Sequence, residues 1–93
     1  MSKHTYWLDA MITVLYFAGI REKIGVAKES MQLPPDANTV AALAIALCAR
    51  GEKWAEALGV ASVKVAVNQT MALPNTVVQD GDEVAFFPPV TGG

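Results

Sequence analysis

Residues 12–18 constrain the fold more than any other part of the chain. They are rich in β-branched and aromatic side chains and stop at Gly19, which predicts a β-strand. Alternation divides this strand into two faces, one with Ile12, Val14 and Tyr16 and the other with Thr13, Leu15 and Phe17. Because both faces carry large apolar residues, we expect the strand to lie at the centre of a sheet.

The composition limits the class of protein. The chain has 93 residues, 53% apolar and 17% charged, enough for one domain with one core. The net charge is -2 and the seven Lys and Arg residues are scattered, which disfavours a nucleic-acid partner. No apolar run approaches the roughly 18 residues that span a bilayer, and no secretion signal begins the sequence. We therefore expect a cytoplasmic protein without a membrane partner.

The first half of the chain predicts a second strand and a helix. Residues 29–33 alternate before a proline pair, and the polar residues 21–28 are predicted to be a loop between the two strands. Thr39 is a suitable N-cap for a helix over residues 40–50, which ends at Gly51. Its buried stripe is expected to contain Val40, Leu43, Ala44 and Leu47.

The second half predicts shorter elements. Residues 52–58 indicate a short helical turn, and residues 63–67 indicate a third strand. Residues 71–73 are apolar and indicate a short strand that follows a turn, and residues 83–87 indicate the final strand. The order strand, strand, helix, strand, short strand, strand predicts an α+β protein and suits the β-grasp, or ubiquitin-like, arrangement. The element order does not by itself fix the order of strands in the sheet, so this topology also rests on the family resemblance given below. We expect a mixed sheet of about five strands with one main helix packed on one face.

Three regions follow from these boundaries. Residues 11–87 are assigned to the β-grasp domain and residues 88–93 to an extended C-terminal tail. Residues 1–10 have no clear period and are interpreted as a weakly ordered N-terminal extension, either an upstream start or vector-derived residues.

Few side chains suggest chemistry. Cys48 is the only cysteine, and its apolar neighbours favour a small buried hydrophobe over a nucleophile or sulfur relay. His4 is the only histidine, which excludes a multi-histidine metal site. Asp80 and Asp82 flank Gly81, a pattern that favours a turn over metal ligands or an acid/base pair. The sequence therefore predicts no metal site and no catalytic side chain.

The sheet face opposite the main helix is predicted to be apolar, and Lys64 marks it as exposed. Four residues share this face if the strands pair as expected: Leu15, Phe17, Ala85 and Phe87. Soluble proteins usually reserve such a patch for a partner. The alternative is that both phenylalanines are covered by residues 21–28 or 52–58.

The last eight residues run from an apolar strand through Pro88 and Pro89 to two glycines. The proline pair favours an extended chain, and at ~3.3–3.6 Å per residue, residues 88–93 can carry the carboxylate roughly 20 Å from the strand. Glycines in a tail add little to folding stability, so the carboxylate of Gly93 is the candidate reactive group.

From residue 11 onward, the sequence resembles the small subunit of molybdopterin synthase, a family of ubiquitin-like sulfur carriers. The resemblance lies in residues 11–18 with Arg21 and Glu22, in residues 66–70, and above all in residues 80–93. The terminal Gly-Gly alone is shared with thiamine-pathway sulfur carriers and with ubiquitin-like modifiers, whereas the whole last block is specific. Residues 1–10 and 73–78 depart from the family pattern.

The resemblance implies that an ATP-dependent adenylating enzyme activates the carboxylate of Gly93 and that a sulfurtransferase supplies the sulfur of a thiocarboxylate. It further implies that the thiocarboxylate donates sulfur to cyclic pyranopterin monophosphate inside the large subunit, which holds the catalytic residues. The implied assembly is a heterotetramer of two small and two large subunits, with no cofactor bound permanently to the small one. The implied tail-access residues are Val90, Thr91 and Gly92, and the implied partner contacts are Phe17, Arg21, Met71, Phe87 and Pro88.

Three other functions remain open from the sequence. The chain could be a modifier joined through Gly93 to lysine amines, a sulfur donor for the thiazole of thiamine, or a binding module that uses only its apolar sheet face. A modifier predicts conjugates that depend on Gly93, and a binding module predicts that a residue added after Gly93 is tolerated. The pattern Phe-Phe-Pro-Pro-Val-Thr over residues 86–91, directly before the two glycines, argues against a role as the sulfur donor for thiamine.

Overall fold

The structure is a computed structural model, and it describes residues 11–89. Five strands and three helices follow one another in this part of the chain: β1 Met11–Tyr16, α1 Ala18–Ile24, β2 Lys28–Gln32, α2 Val40–Cys48, α3 Glu52–Leu58, β3 Lys64–Val67, β4 Thr70–Met71 and β5 Glu83–Phe87. The predicted extension, residues 1–10, and the end of the predicted tail, residues 90–93, lie outside the described residues.

The strands form one sheet with the order β2-β1-β5-β3-β4. β1 and β5 pair in parallel, and the other three pairs are antiparallel. The predicted α+β, β-grasp fold with a mixed sheet is therefore confirmed. β1 has a neighbour on each side, as its two apolar faces indicated.

One face of the sheet and the helices enclose the core. β1 contributes Ile12, Val14 and Tyr16, and β5 contributes Val84 and Phe86, all of them at most 2% exposed. The helices add further buried side chains, which include Ile20, Ile24, Leu43, Leu47 and Leu58. Each fully buried large apolar side chain contributes about 1.5–3 kcal/mol, so this layer is the main source of stability.

The prediction of a polar loop over residues 21–28 is wrong, because more than half of that segment belongs to a helix or a strand. Ile20 and Ile24 lie one helical turn apart, and α1 brings both into the core. Gly25 ends α1 in the left-handed region at φ 84°, and its N–H donates to the carbonyl of Arg21 at 2.7 Å. In the described part of the chain, the layer on the sheet contains three helices instead of one main helix and a turn.

The other predicted boundaries are within two residues of the observed ones. β1 ends at Tyr16 instead of Ala18, since Ala18 has a φ of 52° and turns the chain into α1. β2 lies one residue earlier than predicted, α2 ends at Cys48 instead of residue 50, and β3 and β4 are shorter or shifted by one or two residues. The bounds of α3 and β5 agree with the predicted 52–58 and 83–87.

The turn predicted at Asp80, Gly81 and Asp82 fixes β5 beside β1. Gly81 has a φ of 88°, and its N–H donates to the carbonyl of Met11 at 2.7 Å. The Asp80 carboxylate accepts from the N–H of Met11 at 2.7 Å, and the Asp82 carboxylate accepts from the side-chain amide of Asn68 at 2.9 Å. Both carboxylates therefore hold the local structure, which confirms the prediction of a turn.

Candidate functional site

The side of the sheet away from the helices forms the first part of the candidate site. Strand register places one residue from each strand in a row across this side: Lys28, Leu15, Ala85, Ala66 and Met71. Phe87 and Lys64 pair in the next row, at the end of β5. Side chains alternate along each strand, so these residues lie opposite the core. The predicted common face of Leu15, Ala85, Phe87 and Lys64 is confirmed, and we call it the open face.

The open face is apolar in the middle and has a lysine on either side. Met71 is 61% exposed, and Leu15 and Phe87 are partly buried. Phe17, which continues the alternation of β1, is 43% exposed, so neither α1 nor α3 covers it completely. A patch of this kind on one side of a sheet is suited to a protein partner.

The structure brings together most of the residues that the resemblance implied as partner contacts. The N–H of Phe17 donates to the carbonyl of Phe86 at 3.1 Å, which places Phe17 beside Phe87 at one end of the sheet. Arg21 is exposed one helical turn further on, in α1. Met71 lies two strands away from β5. Their role as partner contacts stays a prediction.

The base of the tail forms the second part of the site. Pro88 and Pro89 directly follow β5 and line a groove of about 230 Å³, together with Ile20, Ala57 and Val63. Pro88 therefore lies on the α1 side and not with Met71 on the open face. Because proline fixes φ near -65°, the pair gives the tail a stiff start. The predicted tail and reactive residues Val90, Thr91, Gly92 and Gly93 lie outside the described residues.

A polar cluster, consisting of Tyr16, Glu29, Arg50 and Trp54, supports the end of the sheet from which the tail leaves. The Tyr16 ring stacks on Phe86 with centroids 6.1 Å apart, and its hydroxyl donates to Glu29 Oε2 at 2.7 Å. Arg50 donates to both oxygens of the same carboxylate at 2.8 and 3.1 Å. The Arg50 guanidinium also lies 4.5 Å from the centroid of the Trp54 ring, a cation–π geometry.

The electrostatics of the polar cluster indicate a structural role. Burial raises the pKa of the Tyr16 hydroxyl far above its usual range, and the hydrogen bond to Glu29 raises it further. Burial acts to raise the pKa of Glu29 as well, but the hydrogen bonds from Arg50 and Tyr16 outweigh it and lower that pKa. Tyr16 therefore stays a neutral donor and Glu29 an anion at neutral pH, so neither is suited to proton transfer.

No sequence motif pointed to the polar cluster, because Glu29 and Arg50 are 21 residues apart in the chain. The one local signal was the spacing of Arg50 and Trp54 by four residues across the α2–α3 connection. Four residues correspond to one helical turn, but Gly51 interrupts the helix there, so the spacing alone carried little information.

Other candidate chemistry has little support among residues 11–89. Burial raises the pKa of the Cys48 thiol, and the side chain packs against the core, as expected for a small hydrophobe. In this part of the chain, no three His, Cys, Asp or Glu side chains are grouped to hold a metal ion. None of the helices described here has the length and apolar character needed to cross a membrane.

Comparison with known proteins identifies the family. The model of the ThiS family matches residues 14–93, which is most of the chain. The chain belongs to the ThiS family. The molybdopterin synthase sulfur carrier subunit of Haemophilus influenzae is 48% identical to this ThiS-family chain over 83 residues, which cover 89% of the chain and 100% of the relative. The Escherichia coli protein of the same name is 46% identical with the same coverage. The predicted resemblance to sulfur carrier subunits of molybdopterin synthase is confirmed.

Solved structures share the fold of this ThiS-family chain. Subunit 1 of the molybdopterin-converting factor of Helicobacter pylori, in a complex with subunit 2, is 30% identical with a TM-score of 0.62, over 89% of this chain and 99% of that one. The Haloferax volcanii HVO 2177 protein is 28% identical with a TM-score of 0.73, over 89% and 86% of the two chains. SAMP1 from the same organism, at 24% identity and a TM-score of 0.64, covers 89% of this chain and 99% of its own, and shows the fold alone.

Proposed function

We propose that this chain is the sulfur carrier subunit of molybdopterin synthase and that it carries sulfur as a thiocarboxylate on Gly93. The observation that carries the proposal is the similarity to two such subunits over their whole length. The base of the tail supports it, since β5 lies inside the sheet and leads directly into Pro88 and Pro89. A tail anchored in a rigid strand can be inserted into a partner without loss of the domain's structure.

The proposed chemistry begins with activation of the terminal carboxylate, because a carboxylate is a poor electrophile. A partner enzyme joins the Gly93 carboxylate to AMP and releases pyrophosphate from ATP, so that AMP becomes the leaving group. A persulfide of the sulfurtransferase attacks the carbonyl carbon and displaces AMP, and a second thiol reduces the resulting acyl disulfide, which leaves the thiocarboxylate and a disulfide. The thiocarboxylate sulfur attacks cyclic pyranopterin monophosphate to form a thioester, and water hydrolyses the thioester, so that the sulfur stays on the substrate and the Gly93 carboxylate is regenerated. Two such transfers build the dithiolene of molybdopterin.

The open face is the proposed docking surface for the large subunit. Phe17, Met71 and Phe87 supply apolar contacts, Arg21 supplies a polar contact, and Pro88 begins the segment that enters the partner. The complex of subunits 1 and 2 from Helicobacter pylori supports a two-subunit assembly, and we propose two small and two large subunits. The adenylating enzyme uses the same face at an earlier stage, so the two partners bind in turn. Gly92 keeps the tail narrow because it has no Cβ.

The role of Gly93 is tested by the intact mass of protein co-expressed with the adenylating enzyme and the sulfurtransferase. We expect one oxygen to be replaced by sulfur. Adding one residue after Gly93 is expected to prevent this replacement and to abolish molybdopterin formation. The control is binding of the extended protein to the large subunit, which should persist because the open face is unchanged. Sulfur transfer by the extended protein would contradict the proposal.

The same cells distinguish a carrier from a protein modifier. A modifier would give a ladder of covalent conjugates that disappears when Gly93 is deleted, whereas a carrier gives none. Such a ladder, together with normal molybdopterin levels after the deletion, would favour conjugation as the function.

A further inference from the structure

The base of the tail is bordered by the helices on one side. Along β5, Phe86 faces the core and Phe87 lies on the open face, so alternation is expected to return Pro88 to the helix side. Pro88 is half-buried and lines the groove of about 230 Å³ between α1 and α3. Pro89 and Val60 line the same groove, which we call the tail groove. The core-facing row of β5 therefore continues beyond the sheet into the first residue of the tail.

The walls of the tail groove are fixed by the fold. Ile20 of α1 and Ala57 of α3 line it and are 5% and 7% exposed, so the core holds both in place. Lys23 Nζ of α1 lies 3.1 Å from Glu56 Oε1 of α3, and both residues also line the groove. A backbone hydrogen bond of 3.1 Å joins the start of α1 to the end of β5. The groove and the strand that leads into the tail therefore belong to one rigid frame.

The two prolines restrict the directions that the tail can take from this frame. Proline fixes φ at about -65°, and it also disfavours helical torsions in the residue before it. Pro88 is subject to both effects because Pro89 follows it, and Phe87 is subject to the second. Few backbone torsions are therefore free at the base of the tail, so an apolar wall beside the two rings can select one direction. Val60 supplies such a wall, since it is a large apolar side chain that is 50% exposed.

We propose that the tail groove is a positioning site, which holds Pro88 and Pro89 against α1 and α3 and sets the direction in which the tail enters the large subunit. It rests on the function proposed above, because the direction matters only for a tail that is delivered into a partner. Pro88 lies five residues before Gly93, so the groove acts on delivery and not on the reacting atoms. A partner that accepts one direction of the tail binds with an affinity reduced by the fraction of molecules that hold this direction. A groove that raises this fraction strengthens productive binding without a new contact to the partner.

Nuclear Overhauser effects in the free protein test the contact itself. We expect cross-peaks between the ring protons of Pro88 and Pro89 and the methyl groups of Ile20. Val60→Glu should remove them, because a carboxylate in the wall favours water over the proline rings. The matched control is Val77→Glu, since Val77 is 55% exposed and lies outside the lining of the groove. Both positions are exposed, so circular dichroism should show an intact fold. A free protein without these cross-peaks would overturn the proposal.

The steady-state kinetics of molybdopterin formation test the positioning role, with the thiocarboxylated small subunit as the varied substrate. We expect Val60→Glu to raise KM about 3- to 10-fold, because fewer molecules present the tail in the accepted direction. The kcat should stay unchanged, because the partner holds the tail once it has entered. Val77→Glu introduces the same charge and should change neither constant. Circular dichroism of the same samples must show no unfolded fraction, since unfolded substrate would also raise KM.

A double-mutant cycle separates positioning from a direct contact with the large subunit. Pro88→Gly combined with Pro89→Gly frees the base of the tail, so the pair should raise KM by itself. Val60→Glu should have no further effect on this background, whereas an equal effect in both backgrounds would mean that Val60 touches the partner and does not position the tail. An unsubstituted protein that transfers no sulfur would refute the proposed function and the positioning role together. Normal transfer with an unchanged KM for Val60→Glu would refute the positioning role alone.

Discussion

At the scale of single residues, Glu29 connects more of the molecule than its place on an edge strand suggests. Its carboxylate accepts hydrogen bonds from the Tyr16 hydroxyl and from two nitrogens of Arg50. It thereby joins β1, β2 and the α2–α3 connection behind the end of β5. Removal of the negative charge would leave the buried Tyr16 hydroxyl and the Arg50 guanidinium with a poorer acceptor. Polar donors that lack a good acceptor inside a protein lower the stability of the fold.

We predict that Glu29→Gln lowers the free energy of unfolding by about 1–3 kcal/mol, since hydrogen bonds to charged groups are lost. The matched control is Glu56→Gln, which breaks an ion pair with Lys23 at 3.1 Å in which both side chains are about half exposed. That loss should be at most about 1 kcal/mol. Urea denaturation at neutral pH measures both. Equal effects of the two substitutions would mean that the polar cluster contributes no more to the free energy of unfolding than an exposed ion pair does.

The same carboxylate predicts a pH dependence of stability. The hydrogen bonds from Arg50 and Tyr16 outweigh the effect of burial, so the pKa of Glu29 is lower in the folded protein than in the unfolded chain. Its contribution is therefore fully present above the unfolded pKa and is lost as the pH falls through the folded pKa. Between pH 5 and pH 3, we expect the unsubstituted protein to lose more stability than Glu29→Gln. Parallel pH profiles of unfolding free energy would exclude this linkage.

At the scale of elements, the two faces of β5 have different surroundings. Phe86 is 1% exposed and stacks on Tyr16 in the core, whereas Phe87 is partly buried and lies on the open face. Two adjacent residues of the same type are thus placed on opposite sides of the sheet. Because successive side chains in a strand point to opposite faces, a shift of one residue in register would exchange their positions.

We predict opposite outcomes for alanine substitutions at these two positions. Phe86→Ala should destabilise the domain by about 3–5 kcal/mol because it leaves a cavity in the core. Phe87→Ala should have a smaller effect on folding but weaken binding of the large subunit by about 1–3 kcal/mol. Denaturation and titration calorimetry measure the two effects. Unchanged affinity for Phe87→Ala would remove Phe87 from the interface.

The elements that the sequence predicted well are those with a strong local pattern. Apolar residues on both faces placed β1 inside the sheet, and the turn at Gly81 located β5. α1 was missed because it has only seven residues and only two of them, Ile20 and Ile24, are buried, which is too short for a clear period. The polar cluster was missed since Glu29 and Arg50 meet only through tertiary structure. The position of Pro88 against α1 could not be predicted without α1 itself.

At the scale of the whole molecule, the chain has a formal charge of -2, but basic residues border the open face on both sides. Lys28 and Lys64 lie at its two sides and Arg21 is exposed near one end, whereas Glu83 lies on this face at the start of β5. The two lysines beside the apolar centre fit a partner surface with acidic side chains. Charges at a rim act mainly on the rate of association and on its dependence on salt.

We therefore predict that Lys28→Glu slows association with the large subunit, and that the effect decreases as salt is added, because the rim is solvent-exposed. Lys53→Glu in α3, on the helix side of the sheet, is the matched control and should leave the rate unchanged. Stopped-flow measurements at low and high salt provide the rates. A rate insensitive to Lys28→Glu at low salt would indicate that the rim faces no acidic surface.

The parallel pairing of β1 and β5 has a mechanical consequence. The strands run in the same direction, with paired residues from Thr13 and Glu83 to Tyr16 and Phe86. Tension applied beyond Pro89 and opposed at Met11 pulls the two strands past each other along their length. The hydrogen bonds of the ladder then resist shear together, whereas in a hairpin opened from its end they would break one by one. A partner that pulls on the tail therefore applies force along the strands, the direction in which the sheet resists it best.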